Sequence, residues 1–377
     1  MYPTKKLWEI LDKTKFTIWK IKTSDYLPSW KNPIIDQWKS LIAWYSNKDE
    51  LVYHWKLPVI VYWDHTNIVK YVDFPFIWWA DWIKVLPFNN NCDVKYCYYL
   101  LENFKPETQW YRRHFSFFKE INLPTPPLST QKLIVQKLNS AFENIDKNIN
   151  LTKENLKNLE DLNKSVLEKV FSEWEYEMKK LWDLFDITSS KRVFKSEWEN
   201  KWIPFYRARE IVKLAKNWFV DNELFITDEM FNEYSLKYWA PKQWDIMITW
   251  VWTLWIPYVV KENDKFYFKD WNIIWLKTIW KEVFSKYVEY GFYSNFIKKQ
   301  VSNTSWTSVW TYTIIRAKET IIPLPPLQKQ KEIVLYLDQV FAKNKELKTK
   351  YELQLKELEE LKQSLLKDAF DGRLVKE

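Results

Sequence analysis

The sequence predicts an α+β protein with two mixed α/β domains, separated by two long helices that pair as an antiparallel coiled coil. Two observations lead to this fold class. One block of sequence occurs twice with helical periodicity, and the segments outside it alternate short apolar runs with turn signals, which is typical of strands. At 377 residues, the chain is also long enough for two domains.

The repeated block begins at a proline-rich segment in each half of the chain. LPTPPLSTQKLIVQKL (123–138) matches IPLPPLQKQKEIVLYL (322–337), and the match continues without a gap at a constant offset of 199. A second, shorter repeat pairs KKLWEIL (5–11) with KKLWDLF (179–185) at an offset of 174. Each half of the chain therefore consists of a variable segment followed by a shared one.

The shared segments predict helices, because prolines stop the preceding strand and can start a helix. Seam residues then recur at alternating steps of four and three, as in a coiled coil. In the first copy they are Leu138, Phe142, Ile145, Ile149, Thr152, Leu156, Leu159, Asn163, Val166 and Val170. In the second copy the equivalent positions hold Leu355, Leu358 and Leu365. Two copies of equal length suggest pairing with each other, antiparallel, and the polar Thr152 and Asn163 can set the register.

Bulk composition limits the class of protein. The net charge of +8 favours an anionic partner. Only Cys92 and Cys97 are present, which excludes a disulfide scaffold and fits a reducing cytosol. The start of the chain, MYPTKKLWEILDK, lacks an apolar signal core, and no apolar run is long enough to span a membrane. We therefore expect a cytoplasmic protein without a membrane partner.

Tryptophan and glycine usage is abnormal in a correlated way. The chain has 26 Trp but only 2 Gly, whereas ordinary usage is about 7% glycine. Many of the tryptophans stand beside Pro, Asn, Asp or Ser, where turns usually place glycine. The hypothesis is that UGA codons, which some bacterial lineages read as glycine, are translated here as tryptophan. Trp275 in NIIWLK is expected to be a genuine tryptophan, and Trp78 is ambiguous.

The stretch DIMITWVWTLWIPYVV (245–260) shows the consequence of this hypothesis. With glycine restored it reads DIMITGVGTLGIPYVV, which contains a GxGxxG pattern. A dinucleotide site would need a helix after this pattern, but IPYVV is β-branched, so a hairpin turn is favoured. No phosphate-binding GxxxxGK[ST] motif is visible, and the CDVKYC cysteines are expected to be free thiols and not zinc ligands.

Several motifs in order resemble the specificity (S) subunit of Type I restriction–modification enzymes. The helix starts LPTPPLSTQKLIV and IPLPPLQKQKEIV resemble the family's PLPPLxEQ-type start, although Thr130 and Lys329 occupy its usual acidic position. The helix ends SVLEKVF and SLLKDAFDGRL are also similar. Reading Trp as Gly improves the match, because WDHT becomes GDHT and SWTSVWTYTI becomes SGTSVGTYTI. The resemblance covers essentially the whole chain.

This resemblance implies a non-catalytic chain in which each variable segment is a target-recognition domain for one half of a split DNA sequence. The implied boundaries are 1–121 and 176–320 for the recognition domains, and 122–175 and 321–377 for the spacer helices. The implied partners are double-stranded DNA, two methyltransferase subunits and motor-nuclease subunits. The chain itself would bind no cofactor; S-adenosylmethionine, ATP and Mg are implied in the partner subunits.

Candidate DNA contacts are polar and basic residues near expected turns. In the first domain they are His65 in the GDHT-like motif and Arg112, Arg113 and His114 in WYRRHFS. In the second domain they are Ser190, Lys191, Arg192, Tyr206, Arg207, Arg209, Thr249, Thr253, Ser305 and Thr307. Two alternatives stay open: a modification system of the same type without the motor-nuclease, and a coiled-coil scaffold whose Trp-rich domains bind a protein or glycan.

Overall fold

The computed structural model describes most of the chain. It covers residues 2–12, 21–64, 66–79, 83–105, 115–172, 176–190, 193–217, 219–251, 254–269, 272–279, 281–302 and 313–375.

The chain packs as two compact units. Unit 1 consists of Met1–Lys153 and Glu352–Glu377, and unit 2 consists of Glu154–Tyr351. Two long helices, Leu128–Ser172 and Leu327–Phe370, each contribute residues to both units. The predicted α+β class with two mixed domains and two long helices is confirmed. Within the described residues, no helix combines the length and the apolar character that crossing a membrane requires.

Unit 1 places short strands and helices before the first long helix. In chain order its elements are β1 (Thr4–Lys6), α1 (Leu7–Ile10), β2 (Asn32–Ile35), β3 (Trp44–Ser46), β4 (Val59–Trp63), β5 (Ile68–Val72), β6 (Ile77–Trp78), β7 (Ile83–Leu86), α2 (Val94–Phe104), α3 (Phe115–Glu120), β8 (Asn122–Pro124) and α4 (Leu128–Ser172).

Unit 2 follows with a larger set of elements. They are β9 (Met178–Lys180), α5 (Leu181–Leu184), β10 (Phe185–Thr188), β11 (Ile203–Tyr206), α6 (Ala208–Asn217), β12 (Phe225–Ile226), α7 (Asp228–Tyr238), β13 (Ile246–Val251), β14 (Leu254–Val259), β15 (Tyr267–Phe268), β16 (Ile273–Thr278), α8 (Ser285–Tyr293), α9 (Asn295–Ser302), α10 (Ile314–Glu319), β17 (Ile321–Pro323) and α11 (Leu327–Phe370).

Among the described residues, each unit contains an antiparallel sheet of three or four strands, a three-stranded sheet with one parallel pair, and a two-stranded antiparallel sheet, which is β1 with β8 in unit 1 and β9 with β17 in unit 2. In unit 1, β4 lies between β5 and β7, and β2 lies between the antiparallel β3 and the parallel β6. The sequence of β4, VIVYW, is entirely buried, as expected for β-branched and aromatic residues in a central strand. In unit 2, the antiparallel order is β10-β16-β13-β14, and β11 lies between the antiparallel β12 and the parallel β15.

The predicted hairpin in DIMITWVWTLWIPYVV is confirmed. Strands β13 and β14 pair antiparallel from Ile246 with Val259 to Val251 with Leu254. The chain therefore continues after the turn as a strand and not as the helix that a dinucleotide-binding motif requires. Strand β14 forms one edge of its sheet.

The two long helices run antiparallel within unit 1. The Lys137 Nζ donates at 3.0 Å to the carbonyl of Leu374, just after the end of α11, and the Lys362 Nζ donates to Asp146 Oδ1 at 2.6 Å. Residue numbers therefore fall along the second segment as they rise along α4. The predicted seam residues of this part are buried in the core of the unit: Leu138, Phe142, Ile145 and Ile149, with Leu355, Leu358 and Leu365 packed against them.

In unit 2 the same helices meet through a polar pair. The Asn344 side-chain amide donates to Asn163 Oδ1 at 2.7 Å, so the predicted polar interruption at Asn163 has a partner on the other helix. Thr152, the other predicted interruption, belongs to unit 1 and is buried. Its hydroxyl donates to the Asn148 carbonyl of its own helix at 2.8 Å, so this hydrogen bond is made within the helix.

A buried glutamine fixes the first turn of α4 to the rest of unit 1. Gln131 is 2% exposed. Its side-chain oxygen accepts from the Asp93 amide at 2.8 Å, and its side-chain nitrogen donates to the carbonyls of Asn91 at 3.3 Å and Pro126 at 2.8 Å. The glutamine therefore joins the helix, the proline segment before it and the start of α2.

Gln330 makes the equivalent contacts in unit 2. It is fully buried, accepts from the Phe284 amide at 2.8 Å, and donates to the carbonyls of Glu282 at 2.9 Å and Pro325 at 2.8 Å. The repeat seen in the sequence is thus a repeat of hydrogen bonds. In both units a buried glutamine satisfies backbone groups that would otherwise be unpaired away from water.

The change Gln330→Leu should lower the free energy of unfolding of the chain by about 3 kcal/mol, because it leaves an amide and two carbonyls buried without a partner. Gln328→Leu is the matched control, since Gln328 lies on the same turn but is exposed. Urea unfolding measures both. Equal stability of the two variants would contradict the role assigned to Gln330.

Candidate nucleic-acid interface

In unit 2, basic residues follow the carboxyl ends of two parallel strands. Strands β11 and β15 pair in parallel with Tyr206 opposite Phe268. Arg207 and Lys269 come directly after these residues, and the Lys269 amide donates to the Tyr206 carbonyl at 3.2 Å. Because parallel strands end at the same sheet edge, the pairing brings these two basic residues together.

A buried carboxylate holds the two arginines of this edge. Glu210 is 2% exposed and lies in the first turn of α6. It accepts from Arg207 Nε at 3.3 Å and from Arg209 Nε at 2.8 Å. Burial alone would raise the pKa of Glu210, but the hydrogen bonds from the two arginines outweigh it and hold the pKa below its ordinary value. Glu210 therefore stays ionised and orients both guanidinium groups.

The arginine heads remain accessible in this arrangement. The side chain of Arg207 is 36% exposed and that of Arg209 is 58% exposed. Arg209 also reaches Glu223, with a nitrogen–oxygen distance of 3.6 Å. Tyr206, the third predicted contact of this segment, packs against Phe266 with ring centroids 4.8 Å apart and an interplanar angle of 31°.

Ser190 joins the same edge through its hydroxyl and its backbone carbonyl. Its side chain is buried, and its hydroxyl donates to the Phe268 carbonyl. The Lys269 Nζ donates to the Ser190 carbonyl at 3.0 Å and to the Ser189 hydroxyl at 3.1 Å. The segment that leads to Lys191 and Arg192 is thus tied to the strand ends.

Thr249 lies in the hairpin strand β13 and is fully buried. Its hydroxyl donates to the Ile256 carbonyl of β14 at 3.2 Å, which stabilises the hairpin pair. The hydroxyl of Thr249 is therefore used in a hydrogen bond between two strands of the sheet. A role for Thr249 in contacting DNA stays a prediction.

Unit 1 has a comparable parallel pair, β2 with β6. The loop after β2 is anchored by Lys70, which is 5% exposed. The Lys70 Nζ donates to the carbonyls of Asp36 at 2.7 Å and Ser40 at 2.6 Å, and lies 3.7 Å from the Asp36 carboxylate. Burial lowers the pKa of Lys70, and Asp36 partly offsets that shift. The anchored loop presents exposed residues, among them Lys39.

A second contact in unit 1 joins the neighbours of two predicted DNA-contact segments. The Asp64 carboxylate accepts from the Phe115 amide at 2.7 Å. Asp64 directly precedes His65 in the chain, and Phe115 directly follows His114. The predicted contacts that lie outside the described residues are His65, Arg112, Arg113, His114, Lys191, Arg192, Thr253, Ser305 and Thr307.

Sequence reasoning missed the residues that position the candidate contacts of the two units. Glu210 is buried and holds two arginines that are near it in sequence, whereas Lys269 in unit 2 and Lys70 in unit 1 contact segments distant in sequence. The only local signal was the RARE motif, in which Glu210 follows Arg207 at helical spacing. Within the described residues, no cluster of histidine, cysteine or carboxylate side chains has the geometry of a metal site.

Comparison with known proteins identifies relatives over most of the chain. The family described as Type I restriction modification DNA specificity domain matches residues 2–161 and 172–357. A protein named as a type I restriction enzyme specificity subunit from Haemophilus influenzae is 28% identical over 244 residues, which are 58% of this chain and 56% of the relative. The EcoR124I/EcoR124II specificity subunit of Escherichia coli is 25% identical over 255 residues, 61% of this chain and 60% of the relative. The matches thus span less than two thirds of either relative.

Solved structures share the fold over almost the whole chain. One, from a study of complex assembly and conformational transition of the type I R-M system, has a TM-score of 0.73 at 16% identity and covers 99% of this chain and 98% of its own. The HsdS subunit from Thermoanaerobacter tengcongensis has a TM-score of 0.57 at 17% identity and covers 99% of this chain and 97% of its own. With the family matched in both halves of the sequence, the chain belongs to the Type I restriction–modification DNA specificity family.

Proposed function

We propose that this chain is the non-catalytic DNA-recognition subunit of a Type I restriction–modification complex. Each unit reads one half of a split target sequence. The observation that carries this proposal is that both halves of the family match contain a parallel strand pair. A lysine anchors a segment beside each pair, Lys70 in unit 1 and Lys269 in unit 2. The net charge of +8 suits binding to DNA.

In unit 2, Arg207 and Arg209 are the residues best placed to read bases. A guanidinium can donate two hydrogen bonds to the O6 and N7 atoms of guanine in the major groove. Glu210 lowers the cost of this contact, because it holds the arginines before DNA arrives. Lys269 and the segment of Lys191 and Arg192 would add phosphate contacts, which position the protein on the duplex.

The long helices α4 and α11 would act as the spacer between the half-sites. A helix rises about 1.5 Å per residue, so helix length would determine the separation that fits. The helices would also dock two methyltransferase subunits and the motor-nuclease subunits. S-adenosylmethionine, ATP and Mg would be bound by those partners, and the complex would act on DNA in the cytoplasm.

We also propose that many of the tryptophans stand where the natural protein has glycine. Of the described residues other than glycine, those with positive φ are Asn67, Trp202, Trp239 and Trp244, and positive φ is a strained conformation for a bulky side chain. The three tryptophans are also between 46% and 58% exposed, which is unusual for a residue that is normally well buried.

Buried tryptophans fall into two groups, according to whether the indole nitrogen has a hydrogen-bond partner. The indole nitrogens of Trp63, Trp78 and Trp198 are buried without a hydrogen-bond partner among the described residues. In contrast, Trp275 is 1% exposed and donates to the buried Asp245 at 2.9 Å. This contrast favours Trp275 as a genuine tryptophan. It also weighs against the alternative of a scaffold that binds a protein or glycan through a tryptophan surface.

The variant Arg207→Ala should weaken recognition of one half-site by about 1–3 kcal/mol and leave the other unchanged. The variant complex, assembled with its methyltransferase subunits, is used to select duplexes from a randomised DNA library. The wild-type complex should select two separated blocks of sequence, and the variant should lose bases in one block only. Lys216→Ala is the control, since Lys216 is exposed at the far end of α6. Equal loss in both blocks would contradict the assignment of one unit to each half-site.

Peptide mass spectrometry of the protein from its native source should read glycine at positions 202, 239 and 244 and tryptophan at position 275. The left-handed backbone at the first three positions and the Asp245 contact at the fourth give this expectation. Tryptophan at all four positions would refute the recoding proposal and would restore the scaffold alternative.

A further inference from the structure

Both cysteines of the chain lie at the start of helix α2. Asp93 is the N-cap of this helix, because its side chain accepts from the Tyr96 amide at 2.9 Å. Cys92 directly precedes the cap, and Cys97 lies in the following turn of the helix. Side chains at these two positions commonly pack against each other across a helix start, in the contact known as a hydrophobic staple. The two cysteines of the chain therefore form one contact.

The two thiol groups of this contact are joined by a hydrogen bond, in which Cys97 donates to the Cys92 sulfur. Cys97 is 1% exposed in the core of unit 1, whereas Cys92 packs against that core and is partly exposed. Both are free thiols in this structure. A disulfide requires side chains that point toward each other, and this pair meets that requirement.

The equivalent place in unit 2 is the start of helix α8. Asp93 and Phe284 each donate a backbone amide to the buried glutamine of their unit at 2.8 Å. The hydroxyls of Tyr96 and Tyr287 each donate to the carbonyl of the proline that ends the strand before the long helix, at 3.0 and 2.9 Å. These matching hydrogen bonds align α2 with α8 residue by residue.

In this alignment, unit 2 has valine at both cysteine positions. Cys92 corresponds to Val283, which is 7% exposed, and Cys97 corresponds to Val288, which is fully buried. Both valines belong to the core of unit 2. The contact itself therefore needs only two small apolar side chains, and cysteine packs as one. What the cysteine pair adds to the contact is the redox chemistry of two thiols.

The two thiols differ in reactivity. The hydrogen bond from Cys97, supported by the charge of Lys5, lowers the pKa of Cys92 even though burial opposes the shift. Burial, with the hydrogen bond to Cys92 adding to it, raises the pKa of Cys97 well above its ordinary value. Peroxides react with the thiolate form of cysteine. The accessible Cys92 is therefore the thiol that a peroxide oxidises first, and Cys97 remains a thiol beside it.

Cys92 also lies between two backbone groups that Gln131 holds. The Asn91 carbonyl accepts from the Gln131 side-chain nitrogen at 3.3 Å, and the Asp93 amide donates to the Gln131 side-chain oxygen at 2.8 Å. A covalent bond between Cys92 and Cys97 would close a short loop that contains Asp93. Such a loop restricts local opening of the segment that connects α2 to the long helix α4.

We propose that Cys92 and Cys97 are a peroxide-sensitive pair, whose reversible disulfide stabilises the contact between Gln131 and the start of α2. The Cys92 thiolate attacks hydrogen peroxide and breaks its O–O bond, which gives a sulfenic acid and hydroxide. The hydroxide takes up the proton that the Cys92 thiol released and becomes water. This reaction does not depend on the DNA-recognition function proposed above.

The second step forms the disulfide. The Cys97 sulfur attacks the sulfenic sulfur of Cys92, and the sulfenic hydroxyl leaves with the Cys97 proton as water. In total the two thiols lose two electrons and two protons, and one peroxide molecule is reduced to two waters. A thiol reductant reverses the reaction by thiol–disulfide exchange.

The test treats the full reduced chain with hydrogen peroxide and then labels the remaining thiols with N-ethylmaleimide in denaturant. The untreated chain should take up two labels and the treated chain none. Trypsin cleaves after Lys95, which lies between the two cysteines, so mass spectrometry should recover the disulfide as two joined peptides. Dithiothreitol should separate these peptides and restore both thiols.

Three variants assign the roles of the two thiols. Cys97→Val should stop the reaction at the sulfenic acid of Cys92, which dimedone labels. Cys92→Val should leave Cys97 at least about tenfold less reactive than Cys92 is in the unmodified chain. The double variant Cys92→Val/Cys97→Val introduces the residues of unit 2, so circular dichroism should report a folded chain that yields no joined peptides.

Hydrogen exchange measures the effect on the contact with Gln131. The Asp93 amide should exchange about tenfold more slowly in the oxidised chain than in the reduced one, and peroxide should not change its exchange in the double variant. Two labels retained after peroxide treatment would overturn the proposal. So would peptides that are joined only between two copies of the chain, or an unchanged exchange rate of the Asp93 amide after the disulfide has formed.

Discussion

Both units depend on one contact, a buried glutamine in the first turn of a long helix. The side chains of Gln131 and Gln330 each accept a hydrogen bond from one backbone amide and donate hydrogen bonds to two backbone carbonyls. A glutamine side chain has both a carbonyl oxygen that accepts and an NH₂ group that donates two hydrogen bonds. An apolar residue, or one with only a donor or only an acceptor, would leave backbone groups unpaired. The contact joins the globular part of each unit to the helix that would carry the spacing between half-sites.

On this shared frame, the two units differ where function would require it. Both place basic residues at the carboxyl ends of a parallel strand pair, but a buried lysine anchors the loop in unit 1, whereas a buried glutamate orients arginines in unit 2. The two units also differ beside the long helices, where the Lys95 ammonium lies over tyrosine rings in unit 1, whereas Lys286 pairs with Asp338 in unit 2. A repeated frame with divergent contact surfaces suits a protein that reads two different half-sites.

Most of the framework could be predicted from the sequence because it depends on local pattern. The repeat, the helix seam, the polar residue Asn163 in that seam and the β13–β14 hairpin were all visible as spacing or propensity. The site was less predictable, because burial of a polar side chain depends on segments distant in sequence. Glu210 and Lys70 read as ordinary surface charges, yet both are buried and position loops, and the hydroxyl of Thr249 is used inside the sheet. The positive φ at Trp202, Trp239 and Trp244 favours codon reassignment, and not a tryptophan-rich binding surface, as the explanation of the unusual composition.

In the proposed function, one chain reads a split DNA target for a methyltransferase. Single-molecule sequencing of the native genome measures this most directly, since it maps methylated bases without knowledge of the target. We expect a methylated motif made of two short specific blocks separated by a fixed number of unspecified bases, and deletion of the gene for this chain should abolish it. A genome from a strain that expresses the system but carries no such split motif, or a motif unaffected by the deletion, would contradict the proposed function.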